Sequence, residues 1–335
     1  MSQSEAFIVI DEGSAQSVAT FMREGKVETV IVPSRAAEQL CPTMDGFSPS
    51  SYETEDGEKF TVNGELDSTV MTNIPSYQTS GANRAIIHET LRQAGFAGQN
   101  VKVAVTLPVG RFFGKGSGPR DEALIDAKRK SVMSGIRAAN GSPVASIVEC
   151  VVYPEALPAL FEISRDEKGV FKQGFSETDK VLVIDIGGAT TDISIVTPNG
   201  DIEGYESLGN CGVLDVAARL SDIIATEFSI ESKIPASLLD RIIRERTFAG
   251  ESVSDQVEKS CTKTLSEILR TVEKMVSNPG LLDKVMIVGG GALLMGERLG
   301  DMLGVAPIIP ENADEVISKG IFKLEMLKHG QTSSN

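Results

Sequence analysis

Val181-Leu182-Val183-Ile184 runs into Asp185-Ile186-Gly187-Gly188-Ala189-Thr190-Thr191-Asp192, and Ile193-Ser194-Ile195-Val196 follows. Two short apolar runs around a Gly-rich break read as strand, tight turn, strand. An Asp stands at the strand end, and Gly and hydroxyl residues fill the turn. Gly lets backbone N–H groups come close to an anion, and Thr hydroxyls add further donors. A carboxylate one step earlier suits Mg²⁺ held through water, because that ion keeps most of its hydration shell. A hairpin with a purely structural role does not need two Gly, two Thr and two Asp. Phosphate and metal binding is therefore the reading favoured here.

A related device stands near the start, where Phe7-Ile8-Val9-Ile10 leads into Asp11-Glu12-Gly13-Ser14. Alone it is no more than an ordinary β-turn. Its distance from the second copy is about half the chain, as a duplicated domain gives. Two such turns facing each other would clamp the phosphates of a nucleotide from both sides. Strands followed by helices in both halves predict two α/β domains with mixed sheets.

Two weaker signals gain meaning from this frame. Gly289-Gly290-Gly291 follows the apolar strand Lys284-Val285-Met286-Ile287-Val288 and precedes a helix beginning at Ala292, which permits close approach of a nucleoside. It is not a dinucleotide fingerprint, since no third Gly follows at the required spacing. Pro154-Glu155 suits the first turn of a helix for stability alone. At the mouth of a cleft, however, the Glu155 carboxylate can orient and deprotonate a water attacking a γ-phosphate. Gly110 to Ser117 imitates a Walker A loop, but the spacing is one short and Gly116 occupies the hydroxyl position. His88 lies in a helix with no partner in sequence and reads as packing or surface.

The chain has 335 residues, 41% hydrophobic and 24% charged, which suits a two-domain globular protein. No apolar run is long enough to span a bilayer, and no positive region precedes the short apolar start, as a secretory signal requires. Four well-separated cysteines, Cys41, Cys150, Cys211 and Cys261, predict reduced thiols and a cytoplasmic location. Net charge is −15, from 47 acidic and 32 basic residues, which opposes direct nucleic-acid binding. The basic cluster Lys128-Arg129-Lys130 reads as a solvated helix face. Strands are expected at 7–10, 17–21, 27–32, 59–62, 67–72, 101–106 and 147–152. Helices are expected at 84–93, 122–139, 214–227, 236–246, 255–277, 292–303 and 312–327.

In order along the chain, these pieces resemble the superfamily of actin, heat-shock chaperones and sugar kinases. Its two phosphate motifs, connecting motif and adenosine motif correspond to 10–14, 184–192, 153–156 and 287–292. Thr72-Asn73-Ile74, Thr106-Leu107-Pro108, Ser207-Leu208-Gly209 and Val288 to Ala292 extend the similarity to the ParM (StbA) family of plasmid-segregation ATPases. The resemblance implies a two-domain actin-like ATPase fold of duplicated ribonuclease H-like domains, with nucleotide in the interdomain cleft. The first domain would comprise 1–165 plus about 312–335, and the second 166–311. ATP, with GTP left open, would bind with Mg²⁺. Contacts would come from Asp11, Gly13, Ser14 and Ala15, from Gly187, Gly188, Ala189, Thr190 and Gly209, and from Gly289, Gly290, Gly291 and Ala292. Asp11 and Asp185 would hold the metal through water, and Glu155 with Asp185 would serve catalysis. The protein would form polar filaments and meet plasmid DNA through a ParR-like adaptor bound to the centromere, with no membrane contact.

One departure is Val18, which stands where many superfamily members place a phosphate-reaching Lys. A chaperone of this fold would need room for a peptide-binding domain after the closing helix. An MreB-like cytoskeletal filament would carry an amphipathic N-terminus, whereas Met1–Ala6 is polar and short. A small-molecule kinase remains the enzyme alternative, and it would need a general base aimed at a bound hydroxyl. The polar loops 43–58 and 110–121 are candidate interface elements.

Overall fold

The computed structural model describes residues 5–65, 70–114 and 119–332, leaving aside the side chains of 330–332. Ala6–Glu12, Gln16–Arg23 and Lys26–Pro33 form an antiparallel meander. Its second turn, Glu24-Gly25, has φ of 50° and 77°, the left-handed pair that a tight two-residue hairpin requires. The first strand also pairs in parallel with Asn100–Leu107, which pairs in parallel with Ser146–Pro154. The result is a five-stranded mixed sheet.

The second half repeats the scheme. Val181–Ile186 pairs antiparallel with Thr190–Val196 and in parallel with Lys284–Val288, while Ile202–Gly209 adds the outer strand. The duplication extends to register. Asp11 stands opposite Val18 in the first hairpin, and Asp185 stands opposite Asp192 in the second.

Each sheet has its own apolar core. Ile8, Ile10, Phe21, Val103 and Leu107 centre one, and Leu182, Ile184, Ile193, Leu265 and Ile287 the other. Each half also carries an outer lobe. Tyr52, Phe60, Tyr77 and Ile86 fill the first, and Leu220, Ile224, Leu239 and Ile242 the second. A third core joins the halves: Val9 and Ala104 meet Val183, Val196 and Met286, with Val316, Ile317, Ile321 and Phe322 wedged between. Those last four belong to the closing helix Val316–Thr332. That helix docks tightly enough that a Cβ on Gly320 would collide with the Pro158 carbonyl group. No helix among the described residues is long and apolar enough to cross a membrane.

Three expectations need correction. The helix expected over 122–139 ends at Met133, and Ile136–Ala138 is instead a strand paired with Ser51–Thr54. The stretch 43–58 is not a plain loop, because it contains paired strands at Gly46–Phe47 and Ser51–Thr54. The helix expected from 312 begins at Val316, after a turn over 311–315. Of the strand expected over 67–72, residues 70–72 are a bend and turn, while 67–69, like Lys115 to Ser117 of the Walker-like loop, lie outside the described residues.

Candidate functional site

The two Asp turns meet. A Cβ on Gly188 would stand 2.6 Å from the Ala15 backbone nitrogen, so only Gly permits this approach of the second turn to the first. Neighbouring segments hold each turn. Ser34 Oγ donates to the Gly13 carbonyl at 2.7 Å, and Ser34 N donates to Ala15 O at 2.9 Å. Ser14 and Thr72 exchange hydroxyl-to-carbonyl bonds of 2.8 and 2.7 Å, tying the first turn to the loop before the first long helix. On the other side, the N-terminus of helix Val213–Glu227 donates from Val213 and Leu214 to the carbonyls of Gly187 and Gly188 at 3.0 and 2.9 Å.

Among the described residues, the N–H groups of Ser14, Ala15, Gly188 and Ala189 find no acceptor. Backbone donors left free at two facing turns form a ready anion site. They sit in a cleft of about 690 Å³ between the halves. Asp11, Gly13, Ser14, Ala15, Glu155, Asp185, Gly187, Gly188, Ala189, Thr190, Gly209, Gly289 and Gly290 all line it. Gly291 and Ala292 do not. Gly291 packs on Ile186, donating to its carbonyl at 2.8 Å, and Ala292 is buried. Gly289 adopts φ of +84°, and a side chain there would strike the Asp185 carboxylate.

Asp11, Glu155 and Asp185 on the cleft wall, with Asp192 beside them, are all raised by burial. Burial pushes Asp11 up to about 7, and nearby Glu12 adds to the effect against a 2.7 Å hydrogen bond from Thr106 Oγ1. Burial first, then the charges of Asp192, Asp11, Asp185 and Glu12, hold Glu155 well above the carboxylate range. Asp185, 5% exposed, is raised by burial and then by Asp192 and Asp11. Burial also raises Asp192, to about 6, against hydrogen bonds from Ser207 and Thr190.

Among the described residues, no three Asp, Glu, His or Cys side chains converge to ligate a metal directly. Hard oxygen donors that repel one another across a cleft still fit a hydrated Mg²⁺, whose charge would relieve that repulsion. Asp11 and Asp185, which both line the cleft, would hold such an ion through water. Glu155 follows the Ser146–Pro154 strand, with its N–H bonded to Leu107 O at 3.0 Å. Ala156 behind it takes φ of +73°, a strained turn that sets where the Glu155 side chain stands.

Sequence reasoning missed several participants. Lys128 is not on a solvated face but fully buried, ion-paired with Glu12 directly behind the first turn. His88 is buried, as the packing reading expected. Val18, already singled out in the sequence, lines the cleft wall opposite Asp11. Gln16 Nε2 donates to Asp314 at 2.9 Å, joining the first hairpin to the turn before the closing helix. Arg35 pairs with Asp240 across the outer mouth. Lys128, Gln16 and Arg35 carry no local sequence signal, since their partners lie 116, 298 and 205 positions away.

A duplicated sheet, a Gly-sensitive junction between two Asp turns and a closing helix shared by both halves define an actin-like two-domain protein. Residues 6–166 match the family described as plasmid segregation protein ParM, N-terminal, and residues 183–301 match archaeal actin homologue MreB-like, C-terminal. The first part of the chain is thus similar to ParM and the later part to an archaeal actin homologue.

Solved structures agree on the fold. A subunit of a 15-stranded ParM filament from Clostridium botulinum aligns with a TM-score of 0.71 at 17% identity, covering 98% of this chain and 100% of that one. An archaeal actin homologue gives 0.72 at 18%, covering 96% and 99%. The same homologue in complex with ADP gives 0.71 at 18%, again covering 96% and 99%. A comparison with curated protein sequences finds no match.

Proposed function

We propose that this chain is an ATPase that assembles into polar filaments and segregates plasmid DNA through a basic adaptor bound to the centromere. The observation that carries this reading is the contact between the Gly188 and Ala15 turns, with unpaired N–H groups on both sides and Glu155 at the same cleft. In this reading the two turns hold the β- and γ-phosphates. Asp11 and Asp185 hold hydrated Mg²⁺, which when bound offsets phosphate charge. Glu155 orients the attacking water and accepts its proton. Burial and the neighbouring carboxylates raise the pKa of Glu155, and a bound cation would lower it again, so that the ionised carboxylate could accept that proton. The net charge of −15 favours an indirect link to DNA.

Light scattering with parallel phosphate release, after adding Mg-ATP, Mg-ADP or buffer, tests the proposal. Scattering should rise with Mg-ATP and decay as phosphate appears. Phosphate release that requires an added small-molecule acceptor, with no scattering at any protein concentration, would replace it with a kinase of the same fold.

A further inference from the structure

Lys128 is fully buried on helix Glu122–Met133, where its charge is balanced by Glu12. Its ammonium also donates to Gln78 Oε1 and Asn83 Oδ1, each at 2.9 Å. An ammonium carries donors only, so the face that Gln78 turns towards Lys128 must be its carbonyl oxygen. The Gln78 amide is thereby fixed in one sense, with its NH₂ group directed the other way. Gln78 is 8% exposed, and its exposed part lines the same cleft as Ser14, Ala15 and Thr72. Among the described residues, Gln78 Nε2 donates to nothing. It is a donor held against rotation, with cleft access and no protein acceptor.

We infer that Gln78 is a nucleotide-contacting donor at the phosphate end of the cleft, and that Lys128 is the positioning residue that fixes its amide. This rests on the nucleotide reading above and deepens it. The ligand chemistry is a polyphosphate oxygen. Val18 offers the cleft no polar atom, whereas an amide locked from behind offers two N–H groups at no cost in side-chain ordering when ligand arrives. The Ser14–Thr72 bonds brace the loop that carries Gln78 to the first turn, so the donor moves with the phosphate grip.

Gln78→Glu separates contact from packing. The variant has the same shape, and its carboxylate still accepts from Lys128, which Glu12 already balances. The donor aimed at the ligand becomes an acceptor with negative charge. Titration with Mg²⁺ and N-methylanthraniloyl-ATP should show about a tenfold or greater loss of affinity for Gln78→Glu. Because Glu12 already balances Lys128, the melting temperature should fall, and Gln78→Leu, which removes the donor without adding charge, should show the same direction of affinity loss. The double variant Lys128→Met/Glu12→Gln removes both buried charges and frees the amide to rotate, so it should lose part of the same affinity. Wild-type affinity in Gln78→Glu would overturn the inference and leave the nucleotide reading in place. Failure of the wild-type protein itself to bind the probe would overturn both.

Discussion

Gly188→Ala probes the junction on which the functional reading stands. The new Cβ would lie 2.6 Å from the Ala15 nitrogen and 2.8 Å from the Ala15 Cβ, against an optimal separation of ~3.5 Å. Neither atom is the far end of a flexible side chain, so the turns must part by roughly 1 Å. Overpacking of this kind costs about 1–3 kcal/mol, and a loss of that size is about a 5- to 150-fold change in an equilibrium constant. The strain disappears if the cleft opens, so it should act on nucleotide affinity more than on unfolding. Titration with a fluorescent ATP analogue should give a dissociation constant raised within that range. The melting temperature of the nucleotide-free protein should fall by no more than a few degrees. Hydrolysis should suffer further, because a reacting group displaced by about 1 Å can lose on the order of 100-fold. Wild-type affinity and phosphate release in Gly188→Ala would refute the idea that the two turns close on one ligand.

Glu155→Gln should bind nucleotide and assemble while phosphate release slows by roughly 10²- to 10⁴-fold; release at the wild-type rate would remove Glu155 from the chemistry. A carboxyl whose folded pKa lies above its unfolded value binds more protons in the native state, so its contribution to stability falls as pH rises between the two. For Asp11, at about 7 against an ordinary 3.8, that window runs from about pH 4 to about pH 7. Melting of the metal-free protein should therefore favour Asp11→Asn over wild type increasingly between about pH 5 and about pH 7.5; a difference that does not change with pH would count against the crowded carboxyls. Lys128→Met leaves Glu12 as an unpaired buried charge, which should cost about 3–5 kcal/mol by urea unfolding. Adding Glu12→Gln should recover most of that loss.

What the sequence disclosed and what it hid follow from the range of the interactions. Asp185 to Asp192 is a turn closed by its own neighbours, so its residues specify it locally, and the same holds for Asp11 to Ser14. Glu155 stood out only because a Pro-Glu pair fell at the right place between two stronger signals. Lys128 could not be found, because its partner Glu12 is 116 positions away and its neighbours Arg129 and Lys130 made the segment look solvated. The helix expected to run to 139 was cut short by a tertiary pairing: Ile136–Ala138 finds an edge at Ser51–Thr54, and the sheet outweighs local helix preference. Asp192 and Asp185 share one ladder rung, which the alternation of the hairpin does imply.

The closing helix Val316–Thr332 has a consequence for how the protein is made. Val9 and Ala104 on one sheet, and Val183 and Met286 on the other, are covered by Val316, Ile317, Ile321 and Phe322. During synthesis, all of the first sheet leaves the ribosome long before these four residues do. Until they arrive, an apolar strip on each half lies uncovered, and Thr20 lacks its 2.8 Å partner Ser318. The nascent chain must therefore carry an uncovered first half throughout synthesis of the second, when an exposed strip is prone to pair with neighbouring chains. Emergence of this single late helix covers the apolar strips of both halves at once.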